Sequence, residues 1–257
     1  MATTTTTADA GIYTGAVPED HIKAVAASPN PPSKPAKPDF GLDSLFGLVA
    51  SAIAAPLYLY ATLKGKFEVW DDVLNALPDS TFADHPAIDV GCGRGMVLLK
   101  LAQRKKRIAE AAGKGSDSIP LAYGIDIFST ADQTGNAPEA TYKNALAMDV
   151  VPYTVLHTAS FTETFPFEDN TFSLLTSNLA IHNAKREGRL DAVREMARVC
   201  MPGGTMIIID LYGFFKDHKS VLVDELGWKD VDVSVVSWKM LYGVLPCQIL
   251  KATKPTQ

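Results

Sequence analysis

The residues best suited by type and spacing to do chemistry lie in the run Ala87-Ile88-Asp89-Val90-Gly91-Cys92-Gly93-Arg94-Gly95-Met96. Its alternating glycines let the backbone take positive φ and come close to a ligand. Apolar residues precede the glycines and a helical pattern follows them. The run therefore reads as strand, loop and helix start, with the first amides of the helix turned toward whatever the loop holds. A dinucleotide fingerprint, G-x-G-x-x-G, needs a glycine where Met96 stands. The acidic Asp89 would repel a pyrophosphate but suits a cationic amino group, directly or through water. The loop of Gly91, Cys92, Gly93 and Gly95 is thus expected to hold the methionine end of S-adenosylmethionine (SAM) rather than a nicotinamide cofactor.

Two further residues fit that chemistry. Asp126 ends the segment Tyr123-Gly124-Ile125-Asp126-Ile127, where a carboxylate can accept from both hydroxyls of a ribose. Methyl transfer from a sulfonium needs an aligned nucleophile and exclusion of water, and a base only where the acceptor carries a proton. His182, in Ala180-Ile181-His182-Asn183, follows the fourth expected strand and is the candidate base. It reads equally well as a loop histidine satisfied by a local hydrogen bond. His157 reads as structural, and His85 and His218 have no motif around them.

Composition narrows the partners. The net charge is -5, and the one strong basic cluster, Arg104-Lys105-Lys106-Arg107, reads as the solvated end of a helix. Binding of DNA or RNA, which needs a basic stripe, is not expected. Ser177-Asn178-Leu179-Ala180 stands where an N/D-P-P-Y segment for methylating the amines of bases would lie. Cys92, Cys200 and Cys247 are far apart, and neither a metal site nor a disulfide framework is expected. Together with the lack of a signal-peptide pattern at Met1 to Ala10, this fits a cytoplasmic protein.

The elements that must position these residues follow from periodicity. Residues 1–40, with a threonine run and five prolines in Ser28 to Pro38, read as a disordered leader. Residues 41–66 contain the apolar stretch Leu45 to Ala61, for which three readings compete: a lid over a substrate pocket, a helix lying in a membrane interface, or a short span that Pro56 would kink or break. Residues 67–257 are expected to form the SAM-binding domain. Helices are expected at Phe67–Leu77, Met96–Ala112, Asn136–Ala147 and Arg189–Val199. Strands are expected at Ala87–Val90, Leu121–Ile125, Val155–Thr158, Phe172–Ser177 and Thr205–Asp210, the last after a Pro202-Gly203-Gly204 turn. Val231 to Lys251 holds two more, read as an antiparallel pair at the sheet edge around a turn at Tyr242-Gly243-Val244-Leu245-Pro246. Strands alternating with helices make an α/β fold with parallel strands.

With these motifs in order, the chain resembles the class I SAM-dependent methyltransferases, in the methyltransferase type 11 group that includes the ubiquinone and menaquinone biosynthesis enzymes. The likeness covers about Glu68 to Pro255. Besides Asp89 to Gly95 and Asp126, it rests on Thr164-Phe165-Pro166-Phe167-Glu168-Asp169-Asn170-Thr171-Phe172 and on Arg198-Val199-Cys200-Met201-Pro202-Gly203-Gly204. The resemblance implies a Rossmann-like seven-stranded mixed sheet, mostly parallel with an antiparallel edge strand and helices on both faces. It also implies that Ile127 packs on the adenine, that Ser160 and Phe161 face the adenine edge, and that Asn178 lines the methyl-transfer site. Ser160 departs from the group, which has an acidic residue there. The expected activity is methyl transfer to a small-molecule acceptor, with an apolar one suggested by Leu45–Ala61 and by Tyr212, Phe214, Phe215, Trp238 and Tyr242. The alternative is a SAM-fold protein without transferase activity, acting as a partner subunit, a regulator or a non-methylating catalyst.

Overall fold

The strands expected in this chain are apolar along both faces, and such strands must be covered by helices on both sides. The computed structural model, which describes residues 20–39, 41, 55–130, 133–242 and 245–256, has this three-layer arrangement. In chain order its elements are α1 (His21–Ala26), α2 (Ala55–Tyr60), a π-helical turn (Ala61–Gly65), α3 (Lys66–Asn75), α4 (Ser80–Ala83), β1 (Ala87–Val90), α5 (Met96–Ala111) and β2 (Ala122–Asp126). There follow α6 (Pro138–Ala147), β3 (Thr154–Thr158), β4 (Phe172–Asn178), α7 (Arg186–Val199), β5 (Cys200–Leu211), α8 (Phe215–Ser220), β6 (Asp230–Val233), β7 (Ser237–Tyr242) and β8 (Leu245–Thr253).

Side chains alternate across a strand, and β5 shows the consequence. Ile207, Ile209 and Leu211 join a core with Trp70, Phe82, Leu98 and Leu101, under α3 to α5. Met206 and Ile208 join a second core with Val193, Met196, Phe215 and Trp228, under α7 and α8. The five strands β1 to β5 run parallel, in the order β3-β2-β1-β4-β5. The order reverses between β1 and β4, so the loops that leave their carboxyl ends part and open a crevice there.

Among the described residues the sheet has eight strands rather than seven. β8 pairs antiparallel with β5, and its outer edge is shared by two short strands: β6 along Leu250 to Thr253 and β7 along Leu245 to Cys247. The extra strand thus comes from a divided edge, and the sheet is still seven positions wide. The expected Pro202-Gly203-Gly204 turn is instead a bulge inside β5: Phe172 pairs with Cys200, but Leu174 already pairs with Thr205. Gly203 takes φ +77° there and donates to the carbonyl of Lys254 at 2.9 Å.

Two readings of charge and composition are corrected. The basic cluster is not wholly solvated: Lys105 is buried and donates to the carbonyls of Phe82 and, at 2.9 Å, His85, because α4 packs across that face of α5. The expected disordered leader is in part built into the fold. Asp20 caps α1, accepting from Ile22 N at 3.0 Å, and also accepts from Leu156 N at 3.3 Å. Ile22 is buried in the first core, and His21 bonds Thr158. One cap and two apolar residues, Ile22 and Val25, suffice to seat a segment whose prolines and lysines otherwise read as solvated.

Of the apolar stretch at 45–61, residues 45–54 lie outside the described residues. The described part, from Ala55, is helical and runs without a break through the π-helical turn into α3, so it continues past the expected boundary at 66/67. Pro56 lies within α2. Tyr58, Ala61 and Thr62 are buried while Leu57, Leu59, Tyr60 and Leu63 are exposed. Among the described residues no helix is long and apolar enough to cross a membrane.

Candidate functional site

A cavity of about 250 Å³ opens at the carboxyl ends of β1 and β4. Its wall contains Asp89, Gly91, Cys92, Gly93, Asp126, Ile127, Ser160, Phe161 and Asn178, which is every expected cofactor residue but Gly95. Gly95 is the N-cap of α5, at φ +88°, and acts through the turn it makes.

The loop after β1 is held by its own amides. Gly91 N and Cys92 N both donate to Ile125 O, at 2.9 and 3.1 Å, which ties the loop to the end of β2. Gly91 has φ +70°, and a Cβ there would lie 2.3 Å from the Cβ of Ala180. Only glycine allows the loop after β1 and the segment after β4 to approach this closely. Leu179 on that segment is itself in the left-handed region, at φ +51°, a strained conformation of the kind found where a site is shaped.

The two carboxylates have different duties. Asp89 accepts from Thr176 Oγ1 at 2.8 Å and from Leu98 N at 3.1 Å, so it ties β4 and the first turn of α5 to β1. Burial pushes its carboxyl up to about 7, against the two hydrogen bonds and with the nearby Asp126 adding to the rise. Asp126 accepts from Gly93 N at 2.8 Å through one oxygen, and from Phe128 N at 2.6 Å and Asn136 Nδ2 at 3.2 Å through the other. Asn136 also lines the cavity, and its Oδ1 is buried without a hydrogen-bond partner. A buried acceptor beside a carboxylate is suited to meeting hydroxyl or amino donors of a ligand. Burial holds the Cys92 thiol well above its usual range, so it is an inert wall rather than a nucleophile. Ile127 is 51% exposed at the cavity mouth, where a flat ring could cover it. Ser160 turns its hydroxyl toward Thr162 Oγ1, 2.8 Å away.

His182 does not line the cavity. Its side chain is 8% exposed and stands edge-on to Tyr242, which does line it, with ring centroids 5.0 Å apart. The register of β4 on β5 puts Asn178 beside Ile209, and so sets the turn after β4 over Asp210. The buried Asp210 takes His182 Nδ1 at 2.6 Å on one oxygen and the His182 amide at 3.1 Å on the other. With Nδ1 donating, Nε2 is left as an acceptor; it is buried and has no hydrogen-bond partner. His157, as read from the sequence, is buried among rings, stacked on Tyr123 and tilted against Phe167. His218 is buried against Phe215, and burial pushes its imidazole down to about 4.

Asp210 was not singled out in the sequence, although an acidic residue closing the run Ile207-Ile208-Ile209 at the carboxyl end of a parallel strand is a usable signal. Lys66, Arg94, Gln133 and Asn136 also line the cavity without having been expected to. Arg94 pairs with Asp39 at 2.7 Å, tying it to the glycine loop, and donates to the carbonyl of Thr134 at 3.2 Å. Asn178 is fixed from the far side, its Oδ1 accepting from Trp70 Nε1 at 2.9 Å.

Residues 88–208 match the family model described as methyltransferase domain. A curated relative, an uncharacterized methyltransferase of Synechocystis, is 26% identical over 145 residues, which is 55% of this chain and 56% of that one. The chain thus spans about half the length of that relative. Among solved structures, magnesium protoporphyrin IX methyltransferase from Synechocystis, with bound SAM, aligns over 74% of this chain and 80% of its own at 16% identity, with a TM-score of 0.52. Geranyl diphosphate methyltransferase, in complex with geranyl diphosphate and sinefungin, aligns over 91% and 98% at 14% identity and a TM-score of 0.50. A [4+2]-cyclase aligns over 88% and 99% at 14% identity and a TM-score of 0.52. At these identities the likeness is one of fold, and that fold carries more than one chemistry.

Proposed function

We propose that this chain, a class I SAM-dependent methyltransferase, methylates a small and largely apolar acceptor that loses a proton as it is methylated. The observation that carries the acceptor class is the His182–Asp210 pair at the carboxyl ends of β4 and β5, with its acceptor nitrogen held behind the cavity wall. The residues fit the cofactor: the glycine cradle at Gly91 would be filled by any side chain, and Asn136 Oδ1 lacks a partner beside Asp126. Bound SAM supplies an electrophilic methyl group on a cationic sulfur.

The chain's own residues do the rest. Gly91, Cys92, Gly93 and the turn at Gly95 hold the methionine end. Asp126, with Asn136, receives the ribose hydroxyls. Ile127 packs on the adenine, while Ser160 and Phe161 face its edge. Asn178, braced by Trp70, backs the methyl end, and Leu179, Ala180 and Tyr242 keep water from it. Asp210 fixes the tautomer of His182, so that Nε2 can take the acceptor's proton once Tyr242, which lines the cavity in front of it, turns aside. An apolar acceptor is supported by this lining and by the fold shared with methyltransferases of geranyl diphosphate and magnesium protoporphyrin IX.

The test is transfer of label from methyl-labelled SAM to a panel of apolar phenols, enols and carbon acids. Labelling that His182→Ala abolishes is the expected result. Labelling of amines or thiols that the variant leaves at full rate would sink the proposal.

Asp89 adds a pH dependence to cofactor affinity. Its carboxyl, pushed up to about 7 by burial, is protonated in the empty site at pH 6 and must ionise to favour a cationic amino group. Affinity for S-adenosylhomocysteine should therefore fall as pH drops below about 7, approaching tenfold per unit. Calorimetry at pH 6 in two buffers of different ionisation enthalpy should detect protons released on binding. Asp89→Asn should flatten the dependence; a slope unchanged in that variant would assign it to another group.

A further inference from the structure

Large apolar side chains left in solvent are ordinary when scattered and informative when they share a face. Helix α2 and the π-helical turn after it gather four of them. Tyr58, Ala61 and Thr62 are buried against the domain, while Leu57, Leu59, Tyr60 and Leu63 stand on the opposite side of the same turns, Leu59 at 48% and Leu63 at 66% exposure. The face is bounded where α3 begins. Tyr60 donates its hydroxyl to Glu68 Oε2 at 2.8 Å, and Lys64 pairs with the same carboxylate at 3.4 Å. Two more exposed apolar residues lie close by. The turn Ala61–Gly65 packs on β7, whose Tyr242 lines the cavity and pairs in register with Leu245. Leu245 is 52% exposed, and Tyr212, whose amide donates to the carbonyl of the adjoining Pro246 at 2.9 Å, is 62% exposed. One group leads directly into Lys66 and the other adjoins Tyr242, both in the cavity wall, so the exposed apolar side chains flank the cavity.

The occupant that fits this face is lipid. A stable protein interface takes about 20–30 residues a side and has a polar rim; these side chains fall far short of that. The sequence, moreover, extends the apolar character instead of edging it with charge, since no acidic or basic residue stands between Asp43 and Lys64. Leucines on one side of a helix, with a tyrosine and a lysine stem at the boundary, are the means by which a helix lies in the plane of a bilayer interface. The other side of this helix is packed on the domain, so only the exposed side can meet lipid. We propose that Leu57, Leu59, Tyr60 and Leu63, with Tyr212 and Leu245 beside them, dock on the surface of a phospholipid bilayer and turn the cavity toward it. Attraction to anionic headgroups is not the driving force, because the net charge is -5 and Lys64 is paired with Glu68. Burial of the apolar side chains is. That the bilayer also delivers the acceptor rests on the apolar acceptor proposed above; the docking itself does not.

The experiment floats the full chain with phosphatidylcholine vesicles through a density gradient, at low and at high salt. Beside the wild type run Leu59→Asp with Leu63→Asp, the milder Leu59→Gln with Leu63→Gln, and Leu226→Asp, which alters an exposed leucine after α8 in the other helix layer. The wild type should float at both salt concentrations, because burial of apolar side chains is not screened. The aspartate pair should lower the partition coefficient by about 100-fold or more and the glutamine pair by about 10-fold, with Leu226→Asp unchanged. Calorimetry without vesicles should give all four proteins the same affinity for S-adenosylhomocysteine, which shows that the variants are folded. Wild-type protein that stays with the lipid-free fraction overturns the proposal. So does flotation that both Leu59 and Leu63 pairs leave unchanged, that Leu226→Asp reduces equally, or that high salt abolishes. Wild-type protein that does not float, but doubles in mass with concentration until the Leu59 and Leu63 pairs restore the monomer, assigns the face to a second copy instead. Wild-type protein that floats yet binds no S-adenosylhomocysteine upholds the docking and removes the cofactor reading, so the two failures are distinct.

Discussion

Gly91→Val should lower affinity for S-adenosylhomocysteine by on the order of 100-fold or more while leaving most of the sheet intact. Two independent penalties converge on this residue. At φ +70° a β-branched side chain is strongly disfavoured, whatever the space around it. The space is also absent, since a Cβ would stand 2.3 Å from that of Ala180, and neither backbone can retreat without moving the end of β1 or the turn after β4. Those are the two segments that form the crevice. The penalties can be separated: Gly91→Ala should be milder than valine, and Gly91→Ala with Ala180→Gly should recover the part due to the clash but not the part due to φ. Calorimetry reports affinity, and circular dichroism melts report whether the loss is local. Undiminished binding by Gly91→Val would show that the loop after β1 does not contact the cofactor.

The second large effect falls on turnover. His182→Ala should reduce kcat by roughly 100- to 10,000-fold with little change in cofactor affinity, the range expected when a positioned base is removed. Asp210→Asn tests the same pair from behind. The amide keeps the volume but replaces one acceptor with a donor, where the carboxylate now takes the His182 ring, the His182 amide and the Leu211 amide, the last at 2.8 Å. The ring can then turn or switch tautomer, and Nε2 is no longer held as an acceptor. Activity should drop, while S-adenosylhomocysteine binds as before. Full activity in both variants would mean that the acceptor needs no base.

Much of the cofactor half of this site was legible in the sequence, because it is local. The strand, the glycine loop, the helix start and Asp126 on the next strand are carried by short motifs whose residues stay neighbours in space. The acceptor half was not, because it is assembled by tertiary contacts. Lys66 belongs to no motif in the sequence; only the docking of α3, through Gly65 on β7 and Trp70 on Asn178, brings it to the cavity wall. Asp210 was read as the last residue of a strand, and its pairing with His182 depends on the register of β4 against β5. The strand at Thr205–Asp210 was legible as a continuous apolar run, but no periodicity announces that the outer edge of β8 is divided between β6 and β7. Composition likewise obscured the seating of α1, since one cap and two apolar residues weigh little against the prolines around them.

The ends of the sheet have a consequence for the protein in a crowded cell. An edge strand offers its unpaired amides and carbonyls to any other chain, and long flat edges seed aggregation. Here one edge is made of β6 and β7, short strands that carry Asp230, Asp232 and Lys239. At the other edge, Asp20 already occupies the amide of Leu156 on β3, and His21 holds Thr158 one turn of the pleat away. The N-terminal arm thus acts as a stopper on an otherwise open template, and losing it would bare an edge that can recruit other chains.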